Sequence, residues 1–212
     1  MASGPGYRTT FKLAGTPVQE NNMAMSTYST VARTFRVTNS AKCIISRDAS
    51  FQFKGNGTNI TTAKISSFNW LFGTVTFTSA PATPVTVSAT YVPVTAVAGA
   101  HKYDLSVTRE LLEDTDYTST GWRTRTPGLI DIRLTVSRFH KADLTFYDVF
   151  RNAESVVVEI NHGGQNTLAR GWFIAESNSP NGDVGGLEND DLTLMIDSSE
   201  YGALRSFGWG DL

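Results

Sequence analysis

Polar and apolar residues alternate with a period of two along much of this chain, the pattern of strands with one face buried and the other wet. The longest clean run is Ile130-Asp131-Ile132-Arg133-Leu134-Thr135-Val136-Ser137, with four aliphatic side chains to one side and four polar ones to the other. Gly73 to Thr78 and Val85 to Tyr91 alternate on either side of Ser79-Ala80-Pro81-Ala82-Thr83-Pro84. Their spacing predicts a hairpin around a proline-marked loop. Pro93 ends the second strand or marks it as an edge. Tyr103, Leu105 and Val107 share one face of a further strand. Thr34 to Val37, Cys43 to Ile45 and Ser50 to Phe53 are shorter strand-like runs, and Gly55-Asn56-Gly57 is a turn signal because Asn and Gly tolerate positive φ.

The period changes to helical once. Phe146, Val149, Phe150 and Ala153 recur at helical spacing, and the Asp143 side chain can cap the first turn. Val156 to Ile160 then reads as a strand, Asn161 to Asn166 as a glycine-containing turn, and Leu168 to Ala175 as the returning strand. Ser177 to Glu188 reads as a long loop, Leu192 to Asp197 as the last strand, and the residues through Trp209 to Leu212 as a short tail. Two further segments read as loops: the acidic stretch Glu110 to Asp116, and Gly121 to Leu129 with Pro127-Gly128 as its turn. Residues 1–30 show no period and read as an assembly arm, disordered or ordered by a partner. The predicted fold is mainly β: two packed antiparallel sheets, sandwich or orthogonal barrel-like, one short α-helix and an N-terminal arm. Residues 31–212 are expected to form a single β-rich domain.

Composition agrees with a packed β protein. Hydrophobic residues make up 40% of the 212 and charged residues only 18%, so a core is available and general disorder is excluded. A net charge of −2 gives no basic excess for gripping nucleic acid. Cys43 is the single cysteine, so no disulfide forms within the chain, and its apolar neighbours predict a small buried side chain. No apolar stretch approaches bilayer length, and Met1 to Gly6 lacks the features of a signal peptide, so cytoplasmic assembly is expected.

The chemistry-bearing residues do not converge. His101, His140 and His162 stand apart, and Glu159 with His162 reads as a surface turn rather than a metal site. Asn181-Gly182-Asp183 and Asn189-Asp190-Asp191 carry oxygens but lack the alternating ligand spacing of a calcium loop. There is no Gly-x-Ser-x-Gly elbow and no phosphate-cradling loop. No enzyme activity, metal or cofactor is expected. Trp70 and Trp172 sit among apolar residues and read as packed; four tryptophans also admit a sugar-binding β module.

One ordered set of motifs carries a resemblance. Asp114-Thr115-Asp116-Tyr117, then Gly121-Trp122-Arg123-Thr124, then Pro127-Gly128-Leu129-Ile130-Asp131-Ile132, resembles the tail tube (major tail) proteins of long-tailed bacteriophages. A helix, a hairpin with Gly171 near its second strand, and a last strand at Leu192 to Ile196 follow in the family's order. The resemblance covers about residues 100–205, extends to 73–98, and does not reach 1–72, which are an elaborated arm and loop or an added strand layer. The family-motif residues are Asp114, Gly121, Trp122, Arg123, Pro127, Gly128 and Leu129. The resemblance implies a virion structural subunit that forms hexameric rings stacked into a tube. Its implied partners are further copies of itself and other tail proteins (terminator, tape measure, distal tail), with DNA passing transiently through the lumen. A tail terminator, distal tail ring or capsid decoration protein is the alternative within the same class.

Overall fold

The computed structural model describes residues 10–28, 33–113, 125–139, 143–152, 154–161, 167–182, 188–197 and 207–211. In chain order the strands are β1 (Thr10–Ala14), β2 (Val18–Thr27), β3 (Thr34–Val37), β4 (Gln52–Gly55), β5 (Thr58–Ile60), β6 (Ile65–Asn69), β7 (Thr74–Phe77), β8 (Val85–Tyr91) and β9 (Val94–Ala96). The long strands β10 (Ala100–Glu113) and β11 (Arg125–Phe139) follow, then helix α1 (Thr145–Asn152). β12 (Val156–Asn161), β13 (Thr167–Asn181), β14 (Asn189–Ile196) and β15 (Phe207–Asp211) complete the chain. The protein is mainly β, with two antiparallel sheets and one α-helix among the described residues, as the alternation predicted.

The chain clusters into two compact units. The first takes Met1–Val97, Val157–Gly171 and Phe207–Leu212, and the second Ala98–Val156 and Trp172–Ser206. The first unit holds a seven-stranded sheet in the order β5-β4-β8-β2-β3-β7-β6. Val75 and Phe77 of β7 and Val85, Val87 and Ala89 of β8 are buried, while the threonines between them are partly exposed, so the period-two pattern reports the core face directly. Phe53 anchors that core, meeting Phe68 and Phe77 edge-on at 5.4 and 5.7 Å. β4 and β5 close the predicted two-residue turn, with Asn56 and Gly57 at φ 47° and 79°.

Two expectations fail in this unit. β7 and β8 do not form a hairpin: β7 pairs with β3 and β6, β8 pairs with β2 and β4, and β2 and β3 lie between them. The arm is also wrong over residues 10–27. β1 is seated between β9 and β12, and β2 between β8 and β3. Phe11, Leu13, Met23 and Met25 are buried there and alternate with the less buried Lys12 and Ala24, so the alternation is present but short. A bulge between Glu20 and Met23, with Asn22 at φ 55°, breaks the period of β2 and hides it from a pattern search. β3, β4, β5 and β6 belong to the same sheet as β7 and β8. Residues 1–9 of the expected arm lie outside the described residues.

In the second unit the ladder runs β10-β11-β14-β13. Ile132, Leu134 and Val136 of β11 are buried as predicted. Asp143 also behaves as predicted, its Oδ1 accepting the Thr145 N–H at 3.0 Å where α1 begins. Of the expected apolar helix face only Phe146 is buried; Phe150 is exposed and Ala153 lies outside the described residues. The expected loop from Ser177 is instead strand through Asn181, paired with Asn189 to Thr193. In the first unit, the expected tail forms β15 against Thr167–Gly171 of β13.

Candidate functional site

The feature of the second unit that exceeds what a monomer needs is the β10–β11 hairpin. Its strands run 14 and 15 residues, so the ladder spans roughly 45 Å at the usual strand rise. β10 ends its ladder, so its outer row of backbone groups has no strand beside it among the described residues. The hairpin also carries exposed apolar side chains, with Val107, Leu111 and Leu112 about half exposed and Leu129 80% exposed. An uncovered edge of this length flanked by apolar residues is a template for pairing with another chain.

The two faces of this ladder differ. Tyr103 with Val136, Leu105 with Leu134 and Val107 with Ile132 stand on the apolar face. Lys102 with Ser137, Asp104 with Thr135, Ser106 with Arg133 and Thr108 with Asp131 stand on the other. β14 and β13 extend that second face with Asp191, Thr193, Ser177 and Ser179. It is rich in hydroxyls and mixed in charge. Arg133 is already held by Glu176 at 2.8 Å.

Of the family-motif residues, Pro127, Gly128 and Leu129 are placed; Asp114, Gly121, Trp122 and Arg123 lie outside the described residues. Pro127-Gly128 is not a turn, and the acidic stretch is strand as far as Glu113. The register steps from Arg109↔Ile130 to Leu111↔Pro127, so Gly128 and Leu129 together oppose Glu110 in a β-bulge. The chemistry fits. Proline lacks the N–H of a regular ladder position, and a Cβ on Gly128 would stand 3.1 Å from the Glu110 Cβ and 3.2 Å from its carbonyl oxygen. Leu129 falls on the same side of β11 as the exposed Asp131 and Arg133.

Arg138 fixes the base of the hairpin and was not singled out from sequence. It continues the buried stripe of Ile132, Leu134 and Val136 and is itself only 2% exposed. Its Nε and Nη2 donate to Asp190 Oδ2 at 3.1 and 2.9 Å, its Nη1 to Asp143 Oδ1 at 2.7 Å, and its guanidinium lies 4.2 Å from the Phe146 ring centroid. The hydrogen bonds from Thr145 and Arg138 lower the Asp143 carboxyl to about 2. One carboxylate therefore caps α1 and ties it to β11.

The first unit has its own buried charge cluster. Arg170 Nε and Nη2 donate to Glu159 Oε2 at 2.8 and 2.6 Å, and Nη1 donates to the Leu71 carbonyl at 2.9 Å. Lys12 Nζ reaches Glu159 Oε1 at 2.7 Å. Burial pushes the Glu159 carboxyl up, but the Lys12 hydrogen bond and the Arg170 charge outweigh it and leave it lowered. Cys43 is fully buried as predicted, with Arg170 Nη1 3.0 Å from its sulfur. Glu159, read from sequence as part of a surface turn, is buried; His162 lies outside the described residues. Trp172 is buried and Trp70 packs on Phe51 and Phe68 at 5.2 and 4.4 Å. Among the described residues no three His, Cys, Asp or Glu side chains gather to hold a metal ion.

No family profile matches the chain, and no curated protein matches it. Among solved structures, it is similar to a chain from the virion of a native gene transfer agent particle, at 16% identity and a TM-score of 0.46, over 55% of this chain and 88% of that one. It is also similar to a chain from the tail of an empty gene transfer agent particle with C6 symmetry, at 15% identity and a TM-score of 0.46, over 57% and 87%.

Proposed function

We propose that this chain is a structural, non-enzymatic subunit of a bacteriophage tail tube that self-assembles into stacked hexameric rings with a DNA-conducting lumen. The observation that carries the reading is the long β10–β11 hairpin, with its uncovered edge and exposed Leu111, Leu112 and Leu129. Edge-to-edge joining of such hairpins around a ring would cover the open β10 edge of every subunit at once, as closure does in a barrel. The head-to-tail contacts of a ring, repeated by stacking, yield a tube. Of the motif that carries the resemblance, Pro127, Gly128 and Leu129 belong to β11.

The hydroxyl-rich face of β10, β11, β14 and β13 is the one suited to the lumen. Every phosphate neutralised by Lys or Arg adds affinity and hinders passage. On that face Arg133 is committed to Glu176, and Asp104, Asp131 and Asp191 offset Lys102. DNA would slide along such a surface without being held. The implied partners are other copies of the chain and the terminator, tape measure and distal tail proteins of the same virion.

Negative-stain electron microscopy of the purified full chain tests the reading. Hollow tubes of uniform width are expected. Monodisperse monomers under all solution conditions would overturn it. A copy number of six or twelve per particle would assign the chain to a terminator or ring, and capsid symmetry to a decoration protein.

A further inference from the structure

We propose that the chain stacks end to end, the far end of the β10–β11 hairpin of one copy docking through Leu111, Leu112 and Leu129 on Phe139, Leu144 and Tyr147 of the next. The proposal rests on the tube reading and names what joins one ring to another. Both patches belong to the second unit. The far end of the hairpin, towards Glu113 and Arg125, carries apolar side chains on both faces. Leu111 is paired with Pro127 and shares its face with Leu105 and Val107. Leu112, paired with Thr126, stands with Leu129 on the hydroxyl-rich face. All three leucines are exposed, and an apolar end of this kind marks a contact rather than a surface left in water.

The base of the hairpin repeats the arrangement. Phe139 ends β11 on the hydroxyl-rich face and is exposed, one residue past the buried Arg138. α1 lies on the opposite face, where its Phe146 ring meets the Arg138 guanidinium. Leu144, Tyr147 and Phe150, spaced by three, remain exposed, so this segment is apolar over more of its surface than the unit buries. The Arg138 hydrogen bond to Asp143 holds α1 to the strand. Both patches are therefore fixed to β11, roughly 30 Å apart from Leu129 to Phe139 at the usual strand rise. Copies set end to end keep their faces in line: Leu111 meets the α1 side, and Leu112 and Leu129 meet Phe139. The two patches differ, so the contact is head-to-tail and repeats without closing. It runs along the strands, while the β10 edge joins copies across them, so one contact leaves room for the other. The exposed area of these side chains is on the order of 700 Å², below the roughly 1,200 Å² of a stable lone pair. Six such contacts in parallel between rings reach roughly 4,000 Å², within the range of permanent assemblies. Rings should therefore stack where single copies do not pair end to end.

The test is electron microscopy of the full chain beside its Leu144→Asp and Tyr147→Asp variants. Each variant is expected to shorten the mean tube length at least tenfold, leaving single rings or short stacks, with the thermal midpoint of the monomer in place. A second measurement combines Leu129→Cys with Phe139→Cys. Cys43 is fully buried and supplies no competing thiol. A short bismaleimide should link the double variant into species beyond the hexamer and should do so in neither single variant. Tubes of unchanged length from both aspartate variants, or cross-links that stop at the hexamer, would overturn the end-to-end contact and leave the ring standing. An unmodified chain that stays monomeric under all conditions would instead overturn the tube reading, and this contact with it.

Discussion

Replacing Arg170 by methionine keeps most of the side-chain volume and removes the charge. The substitution deletes two hydrogen bonds to Glu159 Oε2 and one to the Leu71 carbonyl, all at a residue 2% exposed. Breaking a buried pair from one side typically costs about 3–5 kcal/mol, because the remaining charge stays buried and uncompensated. Glu159 keeps Lys12 at 2.7 Å, and the Lys12 side chain is 31% exposed. That remaining partner places the expected loss near the lower end, about 3 kcal/mol. Removing both charges, as Arg170→Met with Glu159→Leu, leaves Lys12 free to reach water. The double variant should therefore lose less than Arg170→Met alone. Urea unfolding followed by tryptophan fluorescence, with all four members of the cycle, measures both numbers. A loss under about 1 kcal/mol for the single variant would refute the argument, as would simple additivity in the double.

Four further outcomes follow from the same geometry. Leu111→Asp and Leu129→Asp, at exposed positions of the hairpin, should abolish tube formation in electron micrographs while moving the thermal midpoint of the monomer by no more than a degree or two. Deleting residues 1–27 should give insoluble chain rather than a folded, assembly-defective monomer, because burial of Phe11, Leu13, Met23 and Met25 contributes roughly 6–12 kcal/mol at the usual value per buried side chain, close to the whole stability of a domain. The Asp143 carboxyl is depressed in the folded chain, so its contribution is present above the ordinary aspartate range and is lost as pH falls through about 2; its carboxyl chemical shift followed by NMR should titrate there, and Asp143→Asn should remove this part of the acid sensitivity. Gly210→Ala should destabilise by about 1–3 kcal/mol, read from the urea midpoint, because its Cβ would overlap the buried Phe72 ring.

The elements that were legible from sequence are those in which alternation is long and uninterrupted. β11 is the best case: Ile132, Leu134 and Val136 are buried where the pattern puts them. Pairing was less legible than existence. The threonine-valine runs at β7 and β8 look like a hairpin because a short proline loop joins them, yet β2 and β3 come from far earlier in the chain and separate them. Period-two alternation says which face of a strand is buried and carries no label for its neighbour. Bulges hid the rest. Asn22 interrupts β2, and the Gly128-Leu129 step makes a strand imitate a turn, since proline and glycine serve both. On the candidate surface, the same bulge is what a reading of Pro127-Gly128 as punctuation misses, and with it the continuation of β11 back to Arg125.

The two buried arginines show a different limit. Arg138 stands at the end of an aliphatic stripe, where a polar residue normally signals that the buried face has stopped. The face continues because Asp190, 52 residues further on, and Asp143 supply the anions. Arg170 is likewise satisfied by Glu159 and by the Leu71 carbonyl, 99 residues away. In each case the cost of burying the charge is offset by groups whose sequence positions bear no fixed relation to the arginine. A pattern of hydrophobic and polar positions cannot represent that compensation, because it scores each residue alone. Arg36 occupies the corresponding kind of position on β3, nine-tenths buried, yet no such carboxylate stands against it among the described residues. Where Arg138 and Arg170 are each matched to a carboxylate, the Arg36 guanidinium rests on the Tyr28 ring, 5.4 Å from its centroid, so burial of the same residue type is compensated in different ways at different places.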